Sequence, residues 1–130
     1  MNIFILLAED DRAFGTILKR ELEDDGHTVD LVHDGVEAVL KTIENNYGFV
    51  ILDIKMPRLD GIHALKIIKK LYPSIPAITI SGNAGNGEMA DSVRAGALRC
   101  FTKPFVIEQL KCDIRQHVSR RTAVVTDHVG

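Results

Sequence analysis

Residues able to do chemistry stand at four places: Glu9-Asp10-Asp11, Asp53, Ser81 and Lys103. Each follows or closes a short apolar run. Nucleotide-binding folds put glycines after the first strand so that backbone N–H groups can cradle phosphate. Here the same place carries carboxylates, which repel phosphate and favour a cation. Carboxylates that share a pocket raise one another's pKa values, and a hard divalent ion relieves the repulsion. An all-oxygen set with few ligands suits Mg²⁺, and the five histidines show no zinc spacing. Lys103 offers an ammonium that could pair with Asp53 or with an anion attached to it, and Ser81 offers a hydroxyl donor. Together they provide what in-line phosphoryl transfer to an aspartate requires. Simpler readings exist for the parts: the acidic triplet could cap the next helix, with Asp11 best placed, while Lys-Pro and Ser-Gly are ordinary turn pairs. Lys103-Pro104 is also a candidate cis peptide.

A fold must bring these positions together. Val- and Ile-rich runs at Ile3–Ala8, Thr28–Val32, Phe49–Asp53, Ala77–Ser81 and Leu98–Thr102 alternate with stretches of helical periodicity. This rhythm predicts an α/β chain with a parallel sheet covered on both faces. Asp30 and Arg99 interrupt the second and fifth runs, which suits edge strands. The apolar helical positions are Phe14, Ile17, Leu18 and Leu22; Val36, Val39, Leu40 and Ile43; Leu65, Ile68 and Leu71; and Val106, Leu110, Ile114 and Val118. A short, weakly apolar fourth helix spans about Glu88 to Arg94. Gly26 fits the C′ position of the first helix, and Asp34 and Asp60 stand where the second and third begin. Right-handed crossovers then give a doubly wound, five-stranded sheet of order 2-1-3-4-5 with five helices, a flavodoxin-like fold. Its ligand site lies beyond the carboxyl ends of the strands, with the ends of the first and third strands side by side.

Composition narrows the class. The chain has 130 residues, 16 basic against 18 acidic, for a net charge of −2. That length suits one domain, and the charge lacks the basic excess that drives nucleic-acid binding, so no direct nucleic-acid contact is expected. No apolar run reaches the length of a membrane span, and no basic leader precedes the first one. Cys100 and Cys112 form no CxxC motif, which fits a reducing cytoplasm.

The pieces Ile5–Asp11, Asp34-Gly35-Val36-Glu37-Ala38, Leu52–Gly61, Ser81-Gly82 and Gly96-Ala97 through Thr102-Lys103-Pro104-Phe105 follow one another at set spacings. In that order they resemble the response-regulator receiver domain of two-component signalling, over about residues 3–119. The resemblance implies a receiver domain at 1–121, and the loss of periodicity after Arg120-Arg121 implies a flexible C-terminal tail at 122–130. Asp53 would be the phosphoacceptor, Glu9 and Asp10 the acidic pair for Mg²⁺, and the Lys55 backbone carbonyl a further metal ligand. Lys103 would contact the phosphoryl group and Ser81 would be the switch hydroxyl. The implied partners are a histidine kinase or phosphotransfer protein and a downstream protein or fused effector, which meets the surface of the fourth helix, fifth strand and fifth helix. Chemistry would be limited to self-phosphorylation and self-dephosphorylation. Lys55 and Asn83 flank the implied path of hydrolytic water, with Lys55 either shielding the phosphoryl group or extending into solvent. One departure is Cys100, where such receivers carry Tyr or Phe; Phe101 points to the opposite face and is no replacement, so coupling from Ser81 is expected to be weaker or differently routed. The rival reading is a receiver-shaped interaction module that works without phosphorylation.

Overall fold

The computed structural model describes residues 2–82 and 87–117. Asn83, Val118 and the tail expected at 122–130 lie outside the described residues. Strands β1 (Phe4–Ala8), β2 (Thr28–Val32), β3 (Phe49–Asp53), β4 (Ala77–Ser81) and β5 (Arg99–Thr102) alternate with helices α1 (Arg12–Asp24), α2 (Gly35–Glu44), α3 (Gly61–Leu71), α4 (Glu88–Arg94) and α5 (107–117). All strand pairs are parallel, in the order β2-β1-β3-β4-β5. The expected flavodoxin-like architecture is thus the observed one. β3 and β4 are buried along their whole length, as strands covered on both faces must be.

Alternate strand residues feed two cores. On one face Ile5, Leu7, Ile51, Ile80 and Phe101 pack with Leu18 and Leu22 of α1 and Leu110 and Ile114 of α5. On the other, Leu6, Ala8, Val50 and Leu52 pack with Ala38 of α2 and Leu65 and Ile68 of α3. Carboxylates start three helices: Asp11, Asp34 and Asp60 accept the backbone N–H of Phe14, Glu37 and His63. Each satisfies an N–H that the helix itself cannot, worth about 1 kcal/mol. Asp11 therefore serves α1 as a cap, as its position suggested. Gly26 ends the α1 turn at φ 97°, a backbone conformation open to glycine at little cost.

Several expected core positions face outward. Ile17, Leu40, Ile43, Leu71 and Val106 are each about half exposed or more. In α2 the buried positions are instead Gly35, Ala38 and Thr42. A β-carbon on Gly35 would fall 2.0 Å from the Leu59 carbonyl oxygen, so this helix approaches its neighbour through its smallest residues. Apolar periodicity marks a stripe wider than its buried half, and Leu40 and Ile43 lie on the outer part. Val106 precedes α5, and Ile3 and Leu98 precede β1 and β5 rather than opening them. No helix among the described residues is long and apolar enough to cross a membrane.

Candidate functional site

β1 and β3 are hydrogen-bonded neighbours, so their carboxyl ends emerge together. Glu9 is fully buried and Asp53 nearly so, while Asp10 is exposed. One carboxylate oxygen from each lies within 4.8 Å of the others. Glu9 is oriented by the Asp11 N–H, which donates to Oε2 at 3.0 Å. A β-carbon on Gly61 would meet the Asp53 carbonyl oxygen at 2.1 Å, so the start of α3 can lie against the end of β3 only without a side chain.

Lys103 follows β5, and its peptide bond to Pro104 is cis. Its ammonium lies 2.8 Å from Glu9 Oε1 and 3.5 Å from Asp53 Oδ2. The same Nζ sits 4.8 Å from the centre of the Phe14 ring, a favourable cation–π placement. The sequence offered Asp53, or an anion attached to it, as the partner of Lys103; the shorter contact is to Glu9. Ser81 closes β4 opposite Thr102, with its hydroxyl buried and donating to the Glu88 carboxylate at the start of α4. Lys55 is exposed beyond Asp53 and shares with Asp10, Met56, His63 and Glu88 an open groove of about 1020 Å³.

Electrostatics follow from this crowding. Burial pushes the Asp53 pKa up to about 8, and the Glu9 and Asp10 carboxylates add to the rise while Lys103 opposes it. Burial also works against the Lys103 charge, yet its ion pairs with Glu9 and Asp53 outweigh that and hold its pKa above the ordinary value. Among the described residues the pocket thus carries an excess of negative charge that the Lys103 ammonium partly balances. Its donors are hard oxygens, the set that suits a small divalent cation.

Cys100 is buried in register with Thr79, whose hydroxyl donates to Ser92 of α4. Both therefore face α4. Phe101 points the other way, 5.1 Å from the Phe105 ring and within the α1 and α5 core. The expectation that Phe101 cannot stand in for an aromatic at Cys100 is met by this alternation.

Sequence reasoning reached Glu9, Asp10, Asp53, Ser81 and Lys103, and the structure gathers all five at one sheet edge. It missed Glu88 and Phe14. Phe14 read only as a core position on α1, and nothing in a Glu after a Gly-rich stretch marks it as a partner of Ser81.

The family described as the response regulator receiver domain matches residues 5–115. The chain belongs to this family. The receiver is 34% identical over its full 130 residues to the response regulator MprA of Mycobacterium ulcerans, covering 56% of that protein. It thus spans a little over half the length of this curated relative. Among solved structures, the Francisella response regulator 1452 receiver domain superposes with a TM-score of 0.86 at 31% identity, covering 92% of this chain and 99% of that one. The receiver domain of a sensor histidine kinase from Pseudomonas aeruginosa PAO1, solved with a magnesium ion in its active-site cleft, gives a TM-score of 0.82 at 29% identity, covering 89% and 97% of the two chains. This receiver is therefore of the two-component, response-regulator type.

Proposed function

We propose that this receiver is a phosphorylation-dependent switch in which Asp53 accepts a phosphoryl group from a histidine kinase or histidine phosphotransfer protein. The observation that carries it is the meeting of three carboxylates and one lysine at the carboxyl edge of the sheet. Glu9, Asp10, Asp53 and the backbone carbonyl of Lys55 would hold Mg²⁺. When bound, the ion would neutralise carboxylate charge and the oxygens of the transferring group. Asp53 Oδ attacks phosphorus as the bond to the donor's imidazole nitrogen breaks. Without a cation the Asp53 carboxyl holds its proton near neutral pH, because its pKa lies at about 8. Lys103 favours the anionic nucleophile and remains beside the product, and Ser81 supplies the hydroxyl that reads it.

A phosphoryl group on Asp53 adds roughly −1.5 to −2 of charge and shifts a two-state equilibrium toward the partner-binding form. The output surface is the face formed by α4, β5 and α5. There Met89, Val93, Leu98 and Val106 expose apolar area beside a groove of about 610 Å³ that includes Cys100. Position 100 contributes a thiol and no aromatic ring of its own to this groove, which weakens the path from Ser81 to the surface. Cys100→Tyr should enlarge the beryllofluoride-induced amide shifts along α4 and β5 in NMR spectra, and unchanged shifts would show that this position does not limit coupling.

The function is tested by incubation with Mg²⁺ and acetyl phosphate, followed by mass spectrometry. A gain of one phosphoryl group in the wild type, absent in Asp53→Asn and in EDTA, is the expected result. No gain, with beryllofluoride also failing to bind, would replace this reading with a phosphorylation-independent docking module.

A further inference from the structure

The Ser81 hydroxyl is already engaged in the unphosphorylated chain. It is fully buried at the end of β4 and donates to the Glu88 carboxylate, the first residue of α4. A serine hydroxyl carries one proton and can donate to one acceptor at a time. An incoming phosphoryl oxygen on Asp53 and the Glu88 carboxylate therefore compete for the same donor.

We propose that Glu88 is a positioning residue for the switch, holding Ser81 in its resting orientation so that phosphorylation and the Ser81–Glu88 contact exclude each other. The proposal rests on the reading of Asp53 as phosphoacceptor. Glu88 is well placed for this role. Gly87 enters α4 at φ 75°, and among the described residues no side chain caps the first turn. The inward side of α4 is narrow: Ser92, bonded to Thr79, is its one buried residue, while Met89 and Val93 face outward. Releasing Ser81 frees the turn that carries Met89 onto the exposed apolar face. The new negative charge on Asp53 also repels the Glu88 carboxylate, which shares a groove with Asp10. Donor loss and repulsion act in the same direction, and by linkage whatever holds Glu88 on Ser81 weakens phosphoryl binding by the same factor.

The test is the affinity of the intact chain for beryllofluoride with Mg²⁺, measured by titration calorimetry in a double-mutant cycle. Glu88→Ala should bind about five- to tenfold tighter than wild type, the range of the net contribution of one hydrogen bond that must be broken. Glu88→Gln, which keeps an oxygen acceptor but no charge, should gain less. In a Ser81→Ala background the Glu88→Ala gain should shrink to about twofold or less, since no hydroxyl is left to compete for. Asp91→Ala, which removes an equal charge from the same groove, should stay within about twofold of wild type. Equal affinities of wild type and Glu88→Ala, or an undiminished gain without Ser81, would overturn the proposal and leave Asp53 chemistry intact. Failure of the wild type to bind beryllofluoride at all would overturn the phosphoacceptor reading, and this proposal with it.

Discussion

Lys103 lies closer to Glu9 than to Asp53, at 2.8 Å against 3.5 Å. Glu9 is fully buried, and the ammonium meets its Oε1 as an ion pair. Lys103 is thus first the counter-ion of a buried carboxylate. Removing one partner of such a pair strands the other. In urea titrations at pH 7 without divalent cations, Lys103→Met should lose about 2–4 kcal/mol. Adding Glu9→Gln to that variant should recover most of the loss; no recovery would mean that Glu9 is not the group Lys103 balances.

Asp53 makes apo stability depend on pH in an unusual direction. Its folded pKa of about 8 lies above the ordinary 3.8, so between those values the folded state holds a proton that the unfolded state has lost. Stability contributed by this group is present below about pH 4 and falls as pH rises toward 8. Asp53→Asn should therefore be more stable than wild type at pH 8, by up to about 5 kcal/mol for the full shift, and about equal at pH 4. Mg²⁺ should raise the melting temperature of the wild type at pH 8 more than that of the variant. Parallel pH profiles for the two chains would contradict the raised pKa.

Gly61 and Gly82 separate two roles of glycine near the site. A β-carbon at Gly61 meets backbone at 2.1 Å, whereas one at Gly82 meets nothing within 4 Å among the described residues. Gly61→Ala must push α3 from the end of β3 and should cost about 2–4 kcal/mol, with weaker beryllofluoride binding as Asp53 shifts. Gly82→Ala should stay within about 0.5 kcal/mol. A tolerated Gly61→Ala in thermal melts would mean the β3–α3 junction is looser than its geometry.

His27 gives a second titration at the far end of the molecule. It is buried, its Nδ1 accepts the Ile3 N–H at 3.1 Å, and burial lowers its pKa although Asp25 opposes the shift. The imidazole is therefore neutral in the fold. Its contribution is intact above the ordinary value of 6.5 and is lost as pH falls below it, because the unfolded chain takes up the proton first. In an Asp53→Asn background, which removes the opposite slope, the melting temperature should drop between pH 7 and pH 5. His27→Gln should flatten that drop, and an unchanged slope would assign the titration elsewhere.

Much of this molecule is legible from short-range pattern. Alternating β and α periodicity, the charged interruptions at Asp30 and Arg99, and the aspartates at 11, 34 and 60 lead to the sheet order, its edges and its helix starts. The site was legible for a related reason: a parallel sheet puts every strand's carboxyl end on one edge, so strand-end residues as distant as Glu9, Asp53 and Lys103 must converge. Which atom meets which is another matter. The preference of Lys103 for Glu9, the Phe14 ring under the ammonium and the Glu88 carboxylate on Ser81 depend on side-chain directions that only the packed chain sets. The same holds for the helix faces, where Ile17, Leu40 and Ile43 fit the apolar period yet lie outside the core. Periodicity constrains one element at a time, whereas these outcomes depend on the distance between two elements, which their smallest residues, such as Gly35 and Gly61, allow to be short.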